Sequence, residues 1–232
     1  MNFFDVINTR RSIRRFTDSI VPDEVIQNAL DAATKAPNSS NLQPWEFYWF
    51  KSSQKKAELA EACLFQGTAR TANHLIVAVS RTDTWERNRD ILVQQMQATE
   101  PLSKDLRTYY YKIIPSLYRQ DPFGLFALSR FLIFNIIGLF KPIVRRPVSK
   151  NDLFEIVTKT TALACQNFML AITAQGYGSC PMEGFDEKRV KKILKLNSDS
   201  RIVMVISVGD PASGGIFGPQ LRVDPKLVIH KL

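Results

Sequence analysis

Gly178-Ser179-Cys180-Pro181-Met182-Glu183-Gly184-Phe185 decides how the rest of this chain is read. It follows the longest helical pattern in the sequence. That pattern opens at Ser149, with Asp152 three residues on as a capping box, and runs to about Gln175. Gly176 and Gly178 close it, because glycine ends helices where other residues are strained. Asp186 to Leu194 is a further helix candidate, and Ile202 to Gly209 (IVMVISVG) then has the β-branched composition of a buried strand. Alone, the octapeptide reads as a helix C-cap followed by a glycine-punctuated turn.

Working upstream, His74 to Ser80 (HLIVAVS) repeats the buried-strand composition, and Trp45 to Phe50 (WEFYWF) is aromatic and strand-like. Pro22 to Ala36 reads as a helix with a first-turn proline, Asp23 and Glu24 at its positive end, and Ile26, Leu30 and Ala33 along one face. Pro37 stops it. Few strands among longer helices predict an α+β fold, with helices packed around a mainly antiparallel sheet. No repeat or linker interrupts the 232 residues, so a single domain over 1–232 is expected, carrying an apolar inserted segment at about 101–148.

Apolar residues make up 45 % of the chain, a globular share, and the formal net charge is +9. The excess concentrates in the middle, where Lys104, Arg107, Lys112, Arg119, Arg130, Lys141, Arg145 and Arg146 face only Asp105 and Asp121. No aromatic-basic RNA motif, zinc-finger spacing or helix-turn-helix pattern accompanies them, so an anionic small molecule or a membrane surface fits the charge better than nucleic acid. Cys63, Cys165 and Cys180 form no C-x-x-C pair, so no metal site or disulfide framework is indicated. A reducing compartment fits them. The start lacks a charged stretch followed by an apolar one, and a cytoplasmic location is expected.

Phe123 to Phe140 (FGLFALSRFLIFNIIGLF) is the anomaly. It approaches the length at which membrane spans begin, and basic residues follow it. Yet it lies between two halves of one apparent core, which a single span would separate. Three readings stay open: a helix covered at a subunit interface, an apolar wall over a pocket, or a helix in contact with a membrane surface through 123–146.

Three blocks carry candidate chemistry. Arg10, Arg11 and Arg14 lie within five positions with a hydroxyl at Ser12, and guanidinium forks suit phosphate oxygens. By itself such a run is most often a solvated basic face. Pro37-Asn38-Ser39-Ser40-Asn41 offers short donors and acceptors, though Asn, Ser and Pro also make ordinary loops. In Pro181-Met182-Glu183-Gly184 a proline, an apolar side chain and a glycine let the backbone approach a flat ring. Arg222, in a C-terminal loop Phe217-Gly218-Pro219-Gln220-Leu221-Arg222, is by itself a solvated charge.

In order, spacing and residue type these blocks resemble the FMN-dependent nitroreductase family, over roughly residues 1–85 and 150–232. The resemblance implies that Arg10 and Arg222 bind the FMN phosphate, and that Ser12 donates to ribityl or phosphate oxygens. It places Arg11 against the cofactor and Arg14 beside flavin N1 and the C2 carbonyl. Pro37, Asn38, Ser39 and Asn41 match a loop given by the partner subunit. Pro181, Met182, Glu183 and Gly184 match the strand along the isoalloxazine ring, with Glu183 and Gly184 nearest N5. The family's amide before the His74 strand points to Gln66. Gln220 stands where the family carries a cation, and Asn38 where it often has serine. The implied activity is a homodimeric oxidoreductase passing hydride from NAD(P)H to a nitroaromatic or quinone by a ping-pong mechanism, with no catalytic acid-base residue and no metal. Two rivals stand beside it: a flavin-binding or interaction protein with little turnover, and a quinone reductase of the same fold at a membrane surface.

Overall fold

A computed structural model describes residues 1–121 and 123–232. Four strands form one antiparallel sheet: β1 (Trp45–Phe50), β2 (His74–Arg81), β3 (Gly178–Met182) and β4 (Ser200–Gly209), in the order β1-β2-β4-β3. The central pair, β2 and β4, is buried along almost its whole length, as the β-branched composition predicts. A bulge between Ala78 and Val79 shifts its register. The antiparallel α+β expectation is therefore met.

Helix α2 (Asp23–Thr34) and the long helix α9 (Lys150–Ala174) pack on one face of the sheet. Pro22 caps α2 rather than entering it, and Ile26, Ala29 and Ala33 are its buried stripe, with Leu30 half-buried. The Ser149–Asp152 capping box of α9 is present in both directions, so two otherwise orphaned N–H groups are satisfied. Phe168 and Ile172 of α9 are fully buried against Ile76 and Ile206, each contributing about 1.5–3 kcal/mol of burial. On the opposite face, α3 (Ser53–Ala62), α4 (Gly67–Thr71) and α10 (Glu187–Leu194) cover Leu75, Val77 and Val205.

Helix α1 (Phe3–Thr9) precedes the arginine cluster, and α5 (Trp85–Gln97) follows β2. Then come α6 (Lys104–Thr108), a π-helical turn (Tyr109–Ile113), α7 (Ile114–Tyr118) and α8 (Leu125–Phe140). Trp85, Tyr110, Ile114, Tyr118, Leu153 and Phe154 join this middle region to the body as a third cluster. The outward face of helix α8 is not covered among the described residues: Leu139 and Phe140 are 80 % and 83 % exposed. No helix among the described residues is long and apolar enough to cross a membrane.

Gly178 does not end a helix as the sequence suggested. Gly176, with φ of 88°, does that. Gly178 is the first residue of β3, and its missing side chain has a steric cause: a Cβ there would lie 2.6 Å from Ile13 Cγ1 and 3.0 Å from Pro211 Cγ. The octapeptide is thus mostly a strand rather than a turn.

All three cysteines are buried. Burial pushes the Cys63 thiol up to about 11 and the Cys165 thiol up to about 12. His74 is structural, as expected: Nδ1 accepts from Trp49 Nε1 (3.1 Å), and Nε2 lies 2.9 Å from the Val21 carbonyl. That pair of bonds fixes the neutral tautomer with its proton on Nε2.

Candidate functional site

Helix α1 ends at Thr9, and the chain then runs extended along the outer edge of β3. Ser12 bridges Ser179 in parallel register, and the Ile13 N–H donates to the Ser179 carbonyl at 3.0 Å. Buried Ile13 anchors this pairing through its contact with Gly178. Residues flanking the anchor are left at the surface, which delivers the arginines to one place.

That place is a cavity of about 350 Å³ lined by Arg10, Arg11, Ser12, Arg14, Gln220 and Arg222, with the Phe217 loop as its other wall. No carboxylate lines it. Among the described residues Arg10 Nη1 is buried without an acceptor, and the neighbouring Ser179 hydroxyl is buried without a partner. A buried, unpaired guanidinium nitrogen is costly and calls for an anion. Burial pushes the Arg10 guanidinium below its ordinary value, and Arg222 adds to the shift through charge repulsion, partly offset by Cys180. Arg11 donates to the Gly218 carbonyl (2.8 Å), and Arg14 lies over the Phe217 ring at 5.2 Å. The Arg14 N–H donates to the Gly215 carbonyl (2.7 Å), tying the two walls together.

Beyond Ser12 the outer edge of β3 is open. Pro181 has no N–H to give, so its backbone nitrogen must face away from β4. Strand alternation sends Ser179 and Glu183 the same way. Ser179 is used by Ile13. The Glu183 and Gly184 N–H groups donate to nothing among the described residues. The outer edge therefore presents a free main-chain donor at Glu183, and the Gly184 N–H next to it is also unpaired among the described residues; both residues are exposed, at the end of the arginine-flanked strand. Met182 is buried beneath them and does not reach the surface.

Gln66 sits at this corner, but not as a free side chain. Its Nε2 donates to the carbonyls of Gly184 (2.5 Å) and Cys63 (3.0 Å). A Cβ on Gly184 would come within 3.0 Å of that nitrogen. Gln66 thus holds the Glu183–Gly184 corner in place.

The Pro37–Asn41 loop lies elsewhere on this chain. No hydrogen bond or cavity among the described residues joins it to the arginines. Asn38 Oδ1 accepts from the Gln43 N–H (2.8 Å), while Ser40 and Asn41 adopt φ of 58° and 54°. Such conformations are strained for these residues and persist only where surroundings enforce them. Here the middle region does so: the Ser40 and Tyr109 hydroxyls are 2.8 Å apart. Ser39 and Asn41 are exposed.

The sequence reading missed two participants. Phe217 backs Arg14, and Ser179 lies under the cluster with an unmet hydroxyl. Phe217 stood in the loop already singled out for Arg222, and an aromatic near a conformationally free glycine was its only signal. Nothing in the sequence marked Ser179 apart from its neighbours.

Comparison with known proteins bears on the family and the fold. A model described as the nitroreductase family matches residues 7–210. Protein DrgA of Synechocystis sp. is 26 % identical over 210 residues, covering 90 % of this chain and 84 % of its own. An NADH dehydrogenase of Thermus thermophilus is 27 % identical over 218 residues, covering 93 % and 89 %. A protein from Exiguobacterium sibiricum, solved in complex with FMN, superposes with a TM-score of 0.74 at 20 % identity, over all of this chain and 98 % of its own.

Proposed function

Since this chain belongs to the nitroreductase family, we propose that it is an FMN-dependent NAD(P)H oxidoreductase, acting as a homodimer on flat acceptors such as nitroaromatics and quinones. FMN when bound supplies the chemistry, accepting hydride at N5 from NAD(P)H and passing it to the acceptor in a ping-pong cycle. The observation that carries the reading is the carboxylate-free arginine cavity with a buried, unpaired Arg10 nitrogen at its base.

The residues fit that group. Arg10 and Arg222 would hold the phosphate, with Ser12 and Arg11 beside it, since a dianion would offset both the burial of the Arg10 guanidinium and its repulsion by Arg222. Arg14, stacked on Phe217, would place a fixed cation where negative charge accumulates on reduction. Pro181, Glu183 and Gly184 would lie along the ring, and the two free N–H groups would meet its acceptor edge. Gln66 would keep that corner rigid. Among the described residues no cavity joins Pro37, Asn38, Ser39 and Asn41 to the arginines of their own chain, which suits a loop serving the cavity of a second copy. The Exiguobacterium protein in complex with FMN supports the cofactor, and the Thermus NADH dehydrogenase supports the nicotinamide donor.

The test is spectroscopic. Purified protein supplied with FMN should show visible flavin bands, release flavin monophosphate on denaturation, and bleach with anaerobic NADPH or NADH. A colourless protein that still fails to take up FMN would overturn the reading. Flavin that binds but never bleaches would favour a binding protein with little turnover.

A further inference from the structure

Helix α8 has an arrangement that the flavin reading does not use. Its inward residues are Ala127, Arg130, Phe134 and Ile137, while Leu125, Leu128, Leu132, Ile136 and Leu139 face outward at 62 %, 57 %, 51 %, 58 % and 80 % exposure. A solvated helix puts its charge outside and its leucines inside. Here the one charge is inside and every leucine is outside. Arg130, the only charged residue of α8, is buried. Its guanidinium donates to the Val148 carbonyl at 3.3 Å and to the Arg119 carbonyl. Rolling the helix to hide its leucines would break both bonds, so the orientation is fixed by the chain itself.

The surroundings are basic. Lys112, Arg119, Lys141, Arg145 and Arg146 are all exposed. Asp105 and Asp121 are the only carboxylates between residues 104 and 148, and Asp121 is occupied accepting from the Leu125 (2.8 Å) and Phe126 (2.7 Å) N–H groups. Arg146 is shared with Glu155 at 3.2 Å. Along one flank of α8 runs a groove of about 400 Å³ lined by Tyr111, Lys112, Pro115, Arg119, Phe126 and Arg130. It combines apolar walls with cations and no carboxylate, which is the chemistry of an anionic amphiphile's headgroup.

We propose that α8 lies in the surface of an anionic lipid bilayer, its outward leucines in the acyl boundary and Lys112, Arg119, Lys141 and Arg145 against lipid phosphates. The length agrees. Sixteen residues span about 24 Å, short of the ~30 Å hydrocarbon core, so the helix lies in the surface and does not cross. A second copy of the chain is the poorer occupant. Pairing α8 with itself would bring two basic rims together, and separate apolar surface at Phe3, Phe4, Leu227 and Ile229 is available for subunit contact. The proposal is independent of the flavin: it concerns a face that shares no residue with the arginine cavity.

The experiment is flotation of the full-length protein with vesicles of phosphatidylglycerol and phosphatidylcholine, or of phosphatidylcholine alone, at low and high salt. Binding should favour the anionic vesicles at least tenfold and weaken with salt. The Leu132→Ser, Ile136→Ser double variant should lose at least tenfold of that binding, with an unchanged circular dichroism spectrum and FMN content. Lys141→Glu with Arg145→Glu should remove the preference for anionic lipid. Should the serine variant misfold, an Ile136→Trp variant replaces it, and its emission should shift to the blue on adding anionic vesicles. Parent protein that stays in the lipid-free fraction overturns the proposal, as does a serine variant that floats like the parent, or an Ile136→Trp variant whose emission lipid leaves unmoved. A parent oligomer that the serine variant halves by light scattering would show that a second copy covers α8, and would also overturn it.

Discussion

Replacing Gly178 with alanine tests how the arginines reach their cavity. The added Cβ would lie 2.6 Å from Ile13 Cγ1, 3.1 Å from Ile13 Cβ and 3.0 Å from Pro211 Cγ, distances that atoms do not tolerate without movement. Ile13 is buried at 5 % exposure and pinned by its N–H to Ser179, so it cannot simply swing aside. Overpacking a filled site of this kind costs about 1–3 kcal/mol. The strain falls on the segment between Arg11 and Arg14, so FMN affinity should fall together with stability. Ile13→Ala removes the nearest obstructing atom, Cγ1, at a cavity cost of about 2–4 kcal/mol, while Ile13 Cβ and Pro211 Cγ stay. In a double-mutant cycle read by urea unfolding, the pair should therefore cost less than the sum of the two single variants, with a coupling of about 0.5–3 kcal/mol. Additivity within about 0.5 kcal/mol would refute the steric reasoning, because it would mean the two sites do not touch. Gly178→Ala protein with the parent's urea midpoint and FMN affinity would refute it too.

Arg10→Ala should weaken FMN binding roughly tenfold to a hundredfold, the worth of one charge-assisted hydrogen bond of about 1.5–3 kcal/mol, while leaving riboflavin binding less affected; equal losses for both flavins in fluorescence titrations would remove Arg10 from the phosphate site. Arg14→Ala should lower the flavin reduction potential by about 30–60 mV, the same energy spread over two electrons, with little change in stability because Arg14 is exposed. Dye equilibration giving identical potentials would exclude its electrostatic role. For pH, burial is the main cause that holds His74 below its usual value. The unfolded chain therefore takes up the proton first, and this stability is present above about pH 6.5 and lost as pH falls below it, by at most about 1.4 kcal/mol per pH unit. Urea midpoints between about pH 7.5 and 5.5, either side of the ordinary histidine value, should show the slope and His74→Gln should flatten it; a slope that survives in the variant assigns it to other groups.

Much of the fold was readable from local signals. The strands β1, β2 and β4 announced themselves by aromatic or β-branched runs, and α9 by its capping box, since these patterns are what burial and unsatisfied N–H groups demand. Strand β3 was read as a turn because a proline and a glycine weaken any strand pattern, and only its place at the sheet edge makes Pro181 acceptable. Helix α1 was missed because Phe3, Phe4 and Ile7 are exposed, so no buried stripe set its period. At the site, residue types pointed to phosphate, but convergence depended on the Ile13–Gly178 contact, which joins positions 165 residues apart and leaves no local trace. The Pro37–Asn41 block does not reach the arginine cavity of its own chain among the described residues, so its role had no geometry to read.

The Arg130 clasp has an architectural consequence. One guanidinium reaches the carbonyls of both Arg119 and Val148, so the two ends of the intervening segment stand no farther apart than a single side chain can bridge. A segment whose ends meet can be shortened, lengthened or exchanged with only a slowly growing loop-closure cost. The α8 paddle is in this sense a detachable module. Replacing residues 120–147 by a short turn should leave the sheet and arginine cavity folded. A body built this way tolerates exchange of the paddle without disturbance of the arginine cavity.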